Sequence, residues 1–330
     1  MSRIRSLPSE IKAEPGKAAA HSMWEHIVRF LSGASDSPVA DTSYTVEVSK
    51  DSSAVLGRGG YGVVFSVVVN GEPRAIKRVP QTNIDTVRRE VIAFVTLSPH
   101  PNIIEFFGVQ YEADYAFMAM ELAEHGELFH RVSASKPALD ETAVRSIYSQ
   151  MLSAVSHMHA LGVVHRDIKL ENWLICRGDI VKLTDFGLAH VYDRAAMSRP
   201  WLAEYVGSLA YCMPEILECK IYDGVACDLW SLSICLFAMS AGFFPYEQAS
   251  CEDWRFRHLY NRSASLVEDI YALYSRECVL STALCSLLHG CIAGPKRFGM
   301  SQMKEHAWTT NVLNLRDAGS LMLAPSAQTL

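Results

Sequence analysis

The sequence predicts an α+β protein of two lobes, a small β-rich lobe followed by a larger, mainly α-helical one. Three observations predict it. β-Branched and aromatic residues dominate from near Tyr44 to about Val79. Apolar residues spaced three and four apart take over from Ile84 onward. Short strands reappear only as one pair inside the second half. A cleft between two such lobes is a common place for a ligand.

In the first lobe the strand signal peaks at Tyr61 to Val69, YGVVFSVVV. Asn70-Gly71 follows, a pair suited to the positive φ that a tight hairpin turn demands. Arg74 to Val79, RAIKRV, supplies the return strand. From Ile84 to Leu97 the pattern is helical, with Val87, Val91 and Phe94 on one face.

The second lobe opens with Asp140, a good N-cap for a helix that buries Val144, Ile147, Met151, Leu152, Val155 and Met158 and stops at Gly162. Trp173–Cys176 and Ile180–Leu183 read as a strand pair. Their link, Arg177-Gly178-Asp179, is a polar hairpin turn here and not an adhesion signal. Leu229 to Tyr246 runs without a charge, which is a marginal length for a membrane span. Its serines, its Pro245-Tyr246 end and the preceding Asp228 favour a buried central helix, so no membrane span is expected.

Composition narrows the class. Hydrophobic residues make up 49% and charged residues 20% of the 330, ordinary for a soluble enzyme. The net charge of -6 gives no sign of a nucleic-acid binder and would tolerate basic peptides. The nine cysteines lie between Cys176 and Cys291 without a CxxC pair, so reduced thiols of an intracellular protein are expected. The N-terminus carries no apolar leader, and Ser2 stands where myristoylation needs glycine. Residues 1–43 read as a flexible extension. Trp24, Ile27, Val28 and Leu31 would share a helix face there, as a docking helix or as a frayed surface helix. The main domain is expected over 44–309, its small lobe over about 44–122 and its large lobe over about 123–309, with a flexible tail at 310–330.

Four motifs carry the chemistry. Gly57, Gly59 and Gly62 form GxGxxG between two strands, where bare backbone can approach phosphate oxygens. They lead into a hairpin and not a helix, which argues against a dinucleotide fold. Lys77 lies on a half-buried strand and needs an anionic partner, for which Glu90 on the next helix is the best candidate. Asp167, in the run His165 to Asn172 (HRDIKLEN), can accept a hydroxyl proton. Asn172, five residues on, and Asp185 of Asp185-Phe186-Gly187 offer the hard oxygen ligands that magnesium prefers beside phosphates.

With these four in this order, residues 51–309 resemble the eukaryotic protein kinase family. His100-Pro101-Asn102-Ile103, Met120 to Ala123, Gly207 to Glu215 (GSLAYCMPE) and Asp228-Leu229-Trp230-Ser231 match further family landmarks. Arg297, nine residues before His306-Ala307-Trp308, matches the arginine that pairs with Glu215. The resemblance implies the bilobal kinase fold and a dependence on ATP and Mg2+. It implies that the glycine loop from Leu56 covers the phosphates and that Lys77, held by Glu90, binds the α- and β-phosphates. Asp185 and Asn172 would carry magnesium, Asp167 would be the base, and Lys169 would steady the γ-phosphate. Val64, Ala75 and Leu174 would sandwich the adenine, and the backbone of Glu121 and Ala123 would bond its edge.

Lysine at 169 is the serine/threonine pattern, and Leu170-Glu171-Asn172 with His306-Ala307-Trp308 looks most like the calcium/calmodulin-dependent and AMP-activated branch. The tail after Trp308 holds one basic residue, Arg316, so no calmodulin-binding helix is expected. The expected partners are protein substrates with serine or threonine acceptors, met by a monomer in the cytoplasm or nucleus. Glu127 and Glu171 match acidic positions that face basic residues upstream of the acceptor; ribose binding for Glu127 and plain exposure for Glu171 are the alternatives. Glu204 stands where many relatives carry an activating phosphothreonine, as a permanent partner for Arg166 or as a solvated loop residue. Ser208 replaces a threonine but keeps its hydroxyl. Ser198 and Tyr205 are candidate modification sites. A binding module on the same fold would lack one of Lys77, Asp167, Asn172 and Asp185, and a small-molecule kinase would lack the GSLAYCMPE ending.

Overall fold

The computed structural model describes residues 55–69, 72–97, 99–135, 139–193, 199–259, 265–294 and 296–310. The extension with its Trp24 face, the strand signal from Tyr44 to Ala54, the Asn70-Gly71 turn, Ser198 and the tail after Thr310 lie outside the described residues.

The small lobe is one antiparallel sheet of five strands in the order β1-β2-β3-β5-β4. Its strands are β1 (Val55–Gly59), β2 (Gly62–Val69), β3 (Glu72–Pro80), β4 (Phe106–Tyr111) and β5 (Tyr115–Glu121), with helix α1 (Ile84–Thr96) between β3 and β4. The β2–β3 register pairs Val69 with Glu72 and Val64 with Lys77. Directly opposed residues of an antiparallel pair share a face. Val64, Ala75 and Lys77 therefore line one side of the sheet, joined by Met120 opposite Ala75. Helix α1 buries Thr86, Val87, Glu90, Ala93 and Phe94; of the predicted face Val91 is only partly buried, and Glu90 and Ala93 take its place.

The large lobe is helical. Helix α2 (Leu128–Ala134) leads to α3 (Glu141–Ala160), whose N-cap Asp140 accepts from the Thr142 amide. Gly162, φ 78°, ends the turn beyond α3. Of the predicted face, Val144, Met151, Leu152, Val155 and Met158 are buried; Ile147 is only partly so, and Tyr148 and Ala154 join them. Two small antiparallel strand pairs carry the catalytic segments: β6 (Val163–Val164) with β9 (His190–Val191), and the hairpin of β7 (Trp173–Cys176) with β8 (Ile180–Leu183). Strand β10 (Trp201–Leu202) pairs with β11 (Tyr222–Asp223), flanking the short helix α4 (Pro214–Leu217). Helix α5 (Gly224–Ala241) contains Asp228 and the uncharged run noted above as far as Ala241. Every residue from Cys227 to Ala241 is buried, so the one described helix long and apolar enough to cross a membrane is the core of this lobe. Helices α6 (Trp254–Leu259), α7 (Leu266–Leu273), α8 (Thr282–Ile292), α9 (Met300–Glu305) and α10 (Ala307–Thr310) complete it.

Candidate active site

The site forms where the open face of the small sheet meets the β6 to β9 segments of the large lobe. Lys77 Nζ lies 3.0 and 2.8 Å from the two Glu90 oxygens and 2.8 Å from Asp185 Oδ1. Glu90 is 1% exposed; burial pushes its carboxyl up, and the Lys77 ammonium beside it pulls the other way without fully offsetting that. Burial alone would pull the Lys77 ammonium down; the Glu90 and Asp185 carboxylates outweigh it and hold Lys77 well above the usual lysine range. Burial likewise pushes the Asp185 carboxyl up, and Lys77 overrides it, leaving Asp185 below the usual carboxylate range.

Asp185 adopts φ 63°, the left-handed region, which swings its carboxylate toward Lys77 while Phe186 turns inward. Phe186 is fully buried. Its ring meets Phe94 of α1 edge-on at 5.0 Å and His165 at 4.8 Å, and Phe94 stacks on Phe106 of β4 at 5.0 Å. Four rings from distant segments thus form one column through both lobes. Its foot is anchored to buried Asp228, which accepts from the amides of His165 and Arg166 at 2.9 and 2.8 Å and pairs with His159 Nε2.

Asp167 is held from three sides. Lys169 Nζ donates to Oδ2 at 2.8 Å, the Ser208 amide donates to Oδ1 at 2.8 Å, and Asn172 Nδ2 donates to the Asp167 carbonyl at 2.8 Å. The Ser208 hydroxyl accepts from Lys169 at 2.8 Å, so residues 167, 169 and 208 form one linked set. Burial works against the Lys169 charge, and Asp167 outweighs it, keeping the ammonium above its usual value.

The glycines differ in what they do. A Cβ at Gly57 or Gly59 would meet nothing within 4 Å, whereas one at Gly62 would come 2.2 Å from the Arg78 carbonyl oxygen. Packing demands only Gly62; the other two leave open space above the site. Leu56 is exposed at the rim beside them. Val64 and Ala75 form the roof, and Leu174 of β7, bridged to Glu127, forms the floor. Glu121 ends β5, and half-buried Ala123 follows two residues later. Glu127 sits 3.5 Å from His130 Nδ1, and Glu171 accepts from the Tyr211 hydroxyl at 3.1 Å. Glu204, 58% exposed in its side chain, forms a short ion pair with buried Arg166, whose guanidinium also donates to the Leu188 carbonyl. The Tyr222 hydroxyl donates to the Glu204 carbonyl at 3.1 Å. At the far edge, Arg297 pairs with Glu215 at 3.1 Å, the contact the family resemblance implies.

Sequence reasoning gave no role to Lys182, Tyr211 or Tyr222. A charged side chain inside a short buried strand was the available signal for Lys182. The tyrosines touch partners that only the tertiary path brings near.

The donor set fits a nucleotide with magnesium. Lys77 occupies one Asp185 oxygen, and the Asn172 amide nitrogen is spent on Asp167, so an oxygen of each remains for a hard cation.

Comparison with known proteins agrees with this geometry. The family model described as "Protein kinase domain" matches residues 51–309. CBL-interacting protein kinase 28 of Oryza sativa subsp. japonica is 31% identical over 77% of the chain and 57% of its own length. Serine/threonine-protein kinase SRK2C of Arabidopsis thaliana is 34% identical over 86% of the chain and 81% of its own length. Serine/threonine-protein kinase SIK2 of Gallus gallus is 31% identical over 82% of the chain, which spans only 33% of that relative.

Proposed function

Because the chain belongs to the eukaryotic protein kinase family, on the serine/threonine side that includes these relatives, we propose that it is an active enzyme moving the γ-phosphoryl group of ATP to serine or threonine hydroxyls of proteins. One observation carries the reading. Lys77, Glu90 and Asp185 are joined across the cleft while Phe186 is buried beneath α1.

The chain's own residues divide the work. Lys77 presents a fixed positive charge at the edge of the cleft beneath the open loop of Gly57 and Gly59. Asn172 and Asp185 would hold magnesium, which supplies charge neutralisation beside the phosphates. Asp167 orients the acceptor hydroxyl and takes its proton, with its carboxylate aimed by Lys169 and the Ser208 amide. Lys169, already charged, faces the negative charge that develops in transfer. Val64, Ala75 and Leu174 bury the base, and the Glu121–Ala123 backbone bonds its edge. Positioning and charge neutralisation do most of the catalysis.

Two finer readings belong to this function. Glu204 gives Arg166 a permanent carboxylate partner, so basal activity does not require phosphorylation of the segment between Asp185 and Glu215. Glu171 and Glu127 flank the cleft with negative charge, which supports a preference for arginine or lysine upstream of the acceptor.

A positional peptide library with ATP and Mg2+ tests the reading, with Asp185→Ala as the control. Transfer by the wild type, lost in the variant and strongest on peptides with upstream basic residues, is expected. No transfer overturns the enzyme reading. Transfer without the basic preference overturns only the part given to Glu127 and Glu171.

A further inference from the structure

Glu121 is the last residue of β5, where the small lobe hands over to the large one. Its position is fixed to an unusual degree. Its amide donates to the Glu105 carbonyl at 2.9 Å, and the Glu105 amide donates back to Glu121 Oε2 at 3.2 Å. Lys182 Nζ, from β8 of the large lobe, then closes on both carboxylate oxygens at 2.7 Å. The two side chains are 15% and 25% exposed.

A half-buried ion pair is weak evidence for stability, because desolvation consumes much of the Coulomb gain. Its placement explains it better. Lys182 lies directly opposite Leu174 in the β7–β8 ladder, so the two share a face of that hairpin. Leu174 is the floor of the pocket assigned to the base. Three residues after Lys182 comes Asp185, and β8 is stitched to the segment before β4 by Ile104 N to Leu183 O and Leu183 N to Asn102 O, each 2.9 Å. Strand β7 is stitched in turn to the residues after Glu121, by His125 N to Ile175 O at 3.0 Å and Ile175 N to Gly126 O at 2.8 Å. Lys182 therefore ties the end of the small lobe to the hairpin that carries the pocket floor and leads on to Asp185.

We propose that Lys182 is a positioning residue for nucleotide binding, holding Glu121 so that the backbone from 121 to 123 faces the base. This deepens the kinase reading and rests on it. Removing the ammonium leaves the Glu121 carboxylate half-buried with only an amide partner, and the strand end is free to shift. The loss falls on nucleotide binding and not on transfer, because Asp167, Lys169 and Ser208 are held by other contacts. Uniform binding lost in this way raises KM and spares kcat.

The test compares wild type, Lys182→Met and Lys182→Arg. Affinity for adenylyl imidodiphosphate with Mg2+ is measured by calorimetry, beside steady-state KM and kcat for ATP and melting temperature. Lys182→Met is expected to weaken the analogue and raise KM for ATP on the order of tenfold, one interaction's worth, with kcat held within about twofold. Lys182→Arg should restore both. An unchanged affinity with a lowered melting temperature makes Lys182 merely structural and overturns the proposal, as does an equal fall in kcat. A wild type that binds the analogue but transfers nothing sinks the enzyme reading while the affinities still judge Lys182. A wild type that does not bind it sinks both.

Discussion

Lys77 Nζ and Asp185 Oδ1 lie 2.8 Å apart across the cleft although 108 residues separate them in the chain. The contact is possible because two independent devices aim its ends: the β2–β3 register at Lys77, and the left-handed turn at Asp185. It also sets up an electrostatic dependence that can be measured.

Lys77→Met should invert the acid response of stability. In the wild type Asp185 titrates below its unfolded value, so its contribution is present above the ordinary carboxylate range and lost only as pH falls through the depressed value. Without the ammonium, Glu90, which burial already holds above the usual carboxylate range, rises further, and Asp185 rises with it. A carboxyl that is raised in the folded state costs stability as pH increases through that value. Thermal melts should show the variant about 3–5 kcal/mol less stable at neutral pH, the cost of breaking a buried pair, and partly recovered near pH 5. A variant that melts lower at pH 5 than at pH 7.5 contradicts this account.

Glu204→Ala should lower kcat/KM on the order of tenfold, the size of one charge-assisted contact. It leaves a buried guanidinium without its carboxylate, beside the Leu188 carbonyl and the Tyr222 hydroxyl. The protein is made in bacteria and assayed before and after phosphatase treatment. Wild-type activity should survive the phosphatase. A large loss on dephosphorylation, or an Ala variant as active as its parent, removes Glu204 from the account.

Gly62→Ala and Gly59→Ala should separate packing from ligand contact. The first places a Cβ against the Arg78 carbonyl and forces β2 away from β3. It should cost about 1–3 kcal/mol and roughly 3–10 °C in melting temperature. The second fills open space and should leave the melt unchanged while raising KM for ATP. Equal melts for the two variants would refute the distinction.

Much of the site was legible in the sequence because its motifs are short and local. His165 to Asn172 and Asp185 to Gly187 each lie within one turn or loop, and Glu90 follows Lys77 closely enough for helix spacing to nominate it. Glu204 and Ser208 could be placed by counting back along one segment. The column of Phe94, Phe106, His165 and Phe186 was not legible, since each ring looks like an ordinary core residue within its own element. The same holds for Lys182 and Glu121, 61 residues apart, and for the Tyr211 hydroxyl on Glu171. In α3 the spacing found the buried face but ranked Ile147 above Tyr148, because the helix is wrapped by α5 on one side and Trp308 on the other. The glycine motif hid a division of labour that only the packing of Gly62 against β3 reveals.

Helix α5 has a consequence for the making of the protein. It is apolar on all sides, and α8, which packs across it, ends about fifty residues further along the chain. At roughly 5–20 residues per second of synthesis, the ribosome needs several seconds to deliver that cover. During that interval a stretch with the length and composition of a membrane span has α3 to pack against but not α8. Newborn copies should therefore be frequent clients of the holding chaperones that greet chains at the ribosome exit, and truncations before α8 should aggregate although every catalytic residue has already been made.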